Sequence, residues 1–362
     1  MKLFACQSCN QVIFFENTEC VSCHHRLGYM PQGILSALEP AGEDEAGRPL
    51  WSAFGAQDAT LWRFCANAGH MACNWLIPSG EPGDFCLCCR HNRTVPDLDN
   101  PDNLSRWQAM ELAKHRLFYS LLRFGLPLPM RPENPEGLAF DFLADQSEAS
   151  GGAATVLTGH DGGLITINLK EADDSEREKL REMMHEPYRT LLGHFRHEIG
   201  HFYWDKLVRD RQDIDACRAV FGDESQDYAA ALQRHYTQGA PPDWQEHFIS
   251  TYATSHPWED FAETWAHYLH IVDTLEMADA VSLRVDPKVS DDDSLSARIR
   301  FDSYAATSLD ELIDAWVPVT FAINSLNRAM GQNDLYPFVL SPAVIRKLEY
   351  VHGIIHAPGE SA

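Results

Sequence analysis

The segment "HEIGH" sets His197 and His201 four residues apart, with Glu198 directly after the first. On a helix this spacing stacks the two imidazoles on one face, one turn apart, where both can reach a single metal ion. The carboxylate beside the first His can then take a proton from a water at that metal, which is the chemistry of a zinc hydrolase. Such a centre needs a third protein ligand and an open fourth position. The continuation HExxHxxGxxH is excluded, because Trp204 and Leu207 stand where its Gly and His would be. The alternative is a Glu from a later helix, and "HPWEDFAETWAHYLHIV", residues 256–272, offers Glu259 and Glu263 one turn apart. We expect Glu259 to hold the metal and Glu263 to hydrogen-bond a ligand His and fix its tautomer. The residues alone leave the reverse assignment open.

Around this motif several residues carry two readings. Tyr252, a short loop before Glu259, is either a phenol donating to an oxyanion or a packed aromatic. Asp205, one turn past His201, is either an outer hydrogen-bond acceptor or an exposed carboxylate paired with a nearby base. Gly200, inside the motif, would let another helix approach closely. His194, His267 and His270 flank the same elements and read as core or surface residues.

The cysteines carry a second chemistry. Nine of the ten precede residue 90, Cys217 stands alone, and the opening "MKLFACQSC" has no apolar run behind a basic start. In a chain of this kind the clustering favours metal over disulfides. Cys6, Cys9, Cys20 and Cys23 form C-x2-C-x10-C-x2-C, two knuckles that close a four-thiolate structural zinc site. Small regions with little apolar content need such a metal to fold. Cys65, Cys73, Cys86 and Cys89 would make a second site, with Cys88 of "CLCC" a spare or alternative ligand. His24, His25 and His70 could substitute, but read as surface residues. One catalytic and two structural Zn²⁺ ions are therefore expected.

The elements that must position these groups point to an α+β chain. A double zinc-ribbon region of small strands is expected over residues 1–92, and a mainly helical domain with a small sheet over 104–362. "RTVPDLDNPDN", residues 93–103, reads as their connection. Trp107, Met110, Ala113, Leu117, Leu121 and Phe124 recur at helical spacing before Gly125 and Pro127, a scaffold helix expected to carry no chemistry. "ATVLTGHDGGLITINL" reads as a hairpin, and Ser175 with Glu178 as the capping box of a short helix. Pro187 would start the helix bearing HEIGH and carry it through Leu207, with Leu192, Phe195, Ile199 and Phe202 facing the core. Pro257 opens the helix of Glu259. Pro318 is expected to break or kink a later helix, and Ser341 with Pro342 to open a closing one.

The composition narrows the partners. At 362 residues and 44% hydrophobic, the chain can bury a sizeable core. Lys+Arg 29 against Asp+Glu 53 gives 29 − 53 = −24, which repels phosphate backbones and anionic membranes. The acidity either aids solubility or steers basic substrates. No apolar run reaches membrane-spanning length, so a soluble, cytoplasmic protein is expected, with neither nucleic acid nor membrane as partner.

Through "CQSC", "CVSC", "CNWL", "RTLLGHFRHEIGHFYWD", "EDFAETWAHYLH" and "LYPFVLSPAVIRKLEYVH", almost the whole chain resembles bacterial zinc-binding metallopeptidases with an N-terminal double zinc-ribbon region. More distantly, the second half is similar to gluzincins of the lethal-factor and titration-factor types, which place a Glu ligand at the start of an E-x-F-A-E or E-x-F-A segment. The resemblance implies Glu259 as ligand, Glu263 one turn behind it, and Tyr252 as oxyanion donor at the place of a catalytic Tyr. It implies a peptide or protein substrate hydrolysed with Glu198 as general base. "CLCC" departs from the family's CxxC knuckle and leaves the ligand among Cys86, Cys88 and Cys89 open. The strand over residues 164–169 is expected at the cleft edge, pairing with an extended peptide. Two rivals remain: a module binding a protein partner through its ribbons, with HEIGH purely structural, and a zinc-ribbon nucleic-acid binder.

Overall fold

Strands β1 (Phe4–Ala5) and β2 (Val12–Ile13) pair antiparallel and hold the first Cys pair in the turn between them. After each pair the chain turns through a left-handed residue, Asn10 at φ 61° and His24 at φ 60°. Asn10 N–H then donates to Cys6 O and His24 N–H to Cys20 O, which closes each knuckle. The computed structural model describes residues 2–145, 156–183, 189–289 and 293–357. Within it the chain forms two compact units, residues 1–174 and 175–362.

In the first unit a five-stranded antiparallel meander follows the knuckles: β3 (Arg26–Met30), β4 (Ile34–Glu43), β5 (Pro49–Ala53), β6 (Leu61–Phe64) and β7 (Leu76–Pro78). Met30, Leu38, Trp62 and Leu76 form its core, with Trp51, Ala53 and Phe64 against them. β8 (Asn92–Thr94) then leaves the ribbon and pairs parallel with β9 (Ala139–Leu143). Helix α1 (Pro101–Arg123) lies between the two in sequence, capped by Asn100 with Pro101 at its first turn. The sequence reading divides the chain at 92–104. The first compact unit runs on to Asp174, because β8 and α1 are built into it together with the ribbon.

β10 (Gly159–Asp161) and β11 (Leu164–Asn168) form the expected hairpin, turned by Gly162 and Gly163 at φ 51° and 82°. Both positive angles suit a two-residue turn that follows the strand twist. The sheet order is β10-β11-β9-β8, so β11 is paired on both sides. This corrects the expectation of a free edge at residues 164–169, since its backbone groups are spent on β9 and β10.

The second unit is helical: α2 (Asp174–Met183), α3 (Leu191–Tyr203), α4 (Ile214–Phe221), α5 (Tyr228–Gln238), α6 (Trp244–His247), α7 (Pro257–Ala280), α8 (Leu309–Ala329) and α9 (Pro342–His356). A two-stranded ribbon of β12 (Arg284–Val285) and β13 (Ala297–Arg298) joins them. α3 starts later than expected, because Thr190 caps it by accepting from Gly193 N–H; Pro187 lies outside the described residues. It passes into a π-helical turn over residues 204–209. α8 runs through Pro318 as one helix instead of breaking there.

α7 is the central element of this unit, with Phe261, Trp265, Tyr268, Leu269, Ile271, Val272 and Leu275 all buried. α3 packs against it at Gly200, where an added Cβ would meet Ala262 Cα at 3.0 Å. Tyr203 stacks on Trp265 with 5.0 Å between ring centroids. Among the described residues no helix is long and apolar enough to cross a membrane.

Candidate metal centre

Among the described residues four groups of metal-ligating side chains converge, one of them, Cys89 with Glu111 and His115, overlapping the second cysteine group. In the first unit, Cys6, Cys9, Cys20 and Cys23 form one group and Cys65, Cys73, Cys86 and Cys89 another. In the first, Cys6 and Cys23 Sγ are 3.5 Å apart and Cys9 and Cys20 Sγ 3.6 Å; in the second, Cys73 and Cys86 Sγ are 3.7 Å apart. Sulfurs at about 2.3 Å from a tetrahedral ion would lie about 3.8 Å from one another, so both groups fit zinc. Backbone N–H groups of Trp75, Cys86 and Cys89 donate to Cys73, Cys65 and Cys86 Sγ, as thiolates require. Cys88 is buried but lies outside this four-sulfur group. Of the histidines weighed as substitutes, His24 pairs with Glu19 and His25 Nδ1 lies 3.3 Å from Cys23 Sγ.

In the second unit, α3 brings His197 and His201 to one face and α7 brings Glu259 to meet them. Glu259 Oε2 lies 2.9 Å from His197 Nε2 and 3.5 Å from His201 Nε2. It is buried there without a well-aligned hydrogen bond, an orphaned anionic oxygen aimed at two imidazoles. Its other oxygen accepts from Tyr228 Oη at 2.6 Å, so the carboxylate presents one oxygen inward. Glu263 Oε1 is 2.7 Å from His197 Nδ1, and its Oε2 accepts from Ser250 Oγ at 2.6 Å. A proton on Nδ1 directs the Nε2 lone pair at the centre, the outer arrangement found behind metal-ligating histidines.

The electrostatics also ask for a cation. Burial works against a charge on His197, but its contacts with Glu259 and Glu263 outweigh that and hold its pKa well above the ordinary range. Burial would raise Glu259, yet His201 and His197 hold it well below the usual carboxylate range. A bound dication would satisfy Glu259 Oε2 and leave Glu263 to hold His197 Nδ1, so the residues fit a zinc ion.

Glu198 is buried beside these ligands. Its Oε1 lies 3.3 Å from His194 Nε2, while Oε2 accepts no hydrogen bond among the described residues. Tyr252 is close by, its ring centroid 5.8 Å from that of His197. Burial, and then the charge of Glu259, push its phenol well above the ordinary value, so it remains an O–H donor. Asp205 is buried, unlike the exposed carboxylate of one of its two readings, and its Oδ1 is 3.1 Å from Arg209 Nη1. His267 contacts Tyr336, and His270 contacts Arg196.

Three residues of this site were not singled out from the sequence: Ser250, which donates to Glu263, and two more. Tyr228, at the start of α5, holds Glu259, and Trp258 covers His201 with 3.8 Å between ring centroids. Trp258 was within reach, since it sits between Pro257 and Glu259. Tyr228 is 31 residues upstream of its partner, with no periodicity joining the two.

Paired cysteine knuckles ahead of a helix-borne two-His, one-Glu cluster define the class: a zinc-ribbon protein with a metallopeptidase-like centre. The chain belongs to the family described as "Putative zinc-binding metallo-peptidase", which matches residues 103–354, and a zinc-ribbon domain matches residues 3–100. It is similar to an uncharacterized protein of Mycobacterium bovis and to one of Mycobacterium tuberculosis. Each is 40% identical over 357 residues, covering 98% of this chain and 95% of the relative. No solved structure matches.

Proposed function

We propose that the protein is a gluzincin-type zinc peptidase whose ligands are His197, His201 and Glu259. The observation that carries this reading is the inward-facing Glu259 Oε2, buried between two imidazole nitrogens. Zinc, when bound, supplies Lewis acidity toward water and the substrate carbonyl. Glu263 keeps His197 in the tautomer that offers Nε2, and Tyr228 holds Glu259 in its one-oxygen orientation. Glu198 Oε2 accepts a proton from the attacking water as the new C–O bond forms. The same oxygen returns that proton to the amine nitrogen as the C–N bond breaks, which balances the hydrolysis. Tyr252 Oη donates a hydrogen bond to the carbonyl oxygen as negative charge develops on it.

The two cysteine groups are structural zinc sites in this reading, and the peptidase function belongs to residues 104–362. A peptide or protein is the substrate class. The rival binding module has no use for a buried carboxylate with one uncommitted oxygen, which is the state of Glu198. The test is Glu198→Gln in the full chain, with zinc counted by elemental analysis and cleavage followed on a peptide library. Retained zinc with cleavage reduced at least about 100-fold is expected, within the range set by general-base catalysis. Unchanged cleavage overturns the assignment.

A further inference from the structure

Helix α1, read from sequence as scaffold alone, buries Glu111, Lys114 and His115 against the second cysteine group. Its polar side chains converge on the sulfurs: His115 Nε2 lies 3.2 Å from Cys73 Sγ and 3.6 Å from Cys89 Sγ. Glu111 Oε2 lies 3.5 Å from Cys89 Sγ. Ligand atoms sharing a tetrahedral zinc, one sulfur and one nitrogen or oxygen, are about 3.5 Å apart. All three separations match that edge.

We propose that this cluster is a two-metal centre, in which a second zinc ion is held by His115 and Glu111 and shares the Cys89 thiolate with the first. Cys89, Glu111 and His115 form a metal-ligating group in their own right, and every member is buried. Both helix residues are oriented as ligands. His115 Nδ1 is 2.6 Å from Glu111 O, so the neutral ring donates Nδ1–H to that carbonyl and offers its Nε2 lone pair to a metal. Glu111 Oε1 is taken by Lys114 Nζ and Asn92 Nδ2, each at 2.8 Å, which leaves Oε2 for the cluster.

Charge balance leads to the same place. Four thiolates around one divalent ion carry −4 + 2 = −2, and the Glu111–Lys114 pair adds nothing to that sum. Backbone N–H donors from Trp75, Cys86 and Cys89 offset part of that buried charge, and a second divalent ion would bring the formal sum to zero. The ion would also tie residues within the zinc-ribbon match, 3–100, to a helix within the metallopeptidase match, 103–354.

The test uses the full-length protein prepared with zinc as the only metal. X-ray absorption at the zinc edge is expected to show metal–metal scattering near about 3.5 Å, a separation typical of paired ions. His115→Ala and Glu111→Gln are each expected to lose one zinc per chain and that scattering, whereas Glu259→Ala loses one zinc and keeps it. Wild-type protein without metal–metal scattering overturns the proposal even if the variants do not fold. An unchanged zinc count in folded His115→Ala does so as well, leaving His115 a hydrogen-bond donor to a single-ion site.

Discussion

Replacing Gly200 by Ala sets two effects of opposite sign against each other. In a helix interior Ala is favoured over Gly by about 1 kcal/mol. The new Cβ, however, would lie 3.0 Å from Ala262 Cα, 3.2 Å from Trp265 Cβ and 3.3 Å from Ala262 O. None of these atoms can rotate away, so α3 and α7 must separate by a few tenths of an ångström. Over-packing of this kind costs about 1–3 kcal/mol. The net effect on the metal-free protein is a loss of about 0–2 kcal/mol. The larger effect falls on the metal, because His197 and His201 ride on α3 while Glu259 rides on α7. Ligand distances tolerate about 0.2 Å of error. We therefore expect zinc affinity in this unit to fall at least about tenfold, worth about 1.4 kcal/mol. Chelator competition reads the affinity, and denaturant unfolding with and without zinc reads the stability. A variant stabilised by about 1 kcal/mol, with unchanged affinity, would follow helix propensity alone and refute the reasoning.

Two further outcomes follow from the same unit. Glu263→Gln should weaken zinc binding about 10- to 100-fold, as loss of an outer partner does, while the fold survives; chelator competition that matches wild type would remove Glu263 from that role. His352, buried on α9 against Tyr268, has its pKa lowered by burial, and then by His356, from 6.5 to about 4. Above pH 6.5 it is neutral whether folded or unfolded. Between pH 6.5 and 4 the unfolded chain takes the proton more readily, so stability should fall with acid by about 1–2 kcal/mol once solvent screening is allowed for. His352→Gln, which does not titrate, should flatten that slope in urea melts taken across the range, and an unaltered slope would count against it.

What the sequence revealed depended on whether the information was local. His197, His201, Glu259 and Glu263 were legible because each pair lies within one helical turn and a Pro marks the start of α7. Tyr228 was hidden because its place beside Glu259 depends on how α5 packs. The start of α3 was misjudged because Pro187 competed with Thr190, whose hydroxyl makes the actual cap. Periodicity identified the apolar stripe of α1 from Trp107 to Leu121. It could not reveal that the polar side, with Glu111 and His115, is buried too. The strand at 164–169 was recognised by composition, but whether a strand is interior or edge is a property of the whole sheet.

The division of the chain after Asp174 also orders events in time. Both cysteine groups, and the helix that closes over the second, lie in the part of the chain that a ribosome makes first. Glu259 is synthesised about 170 residues after Cys89, a delay of about 10–30 s at bacterial to eukaryotic elongation rates. The amino-terminal unit can thus claim its zinc while the ligands proposed for the second unit are still unmade. Zinc scarcity during synthesis would then produce chains with filled ribbons and an empty HEIGH centre.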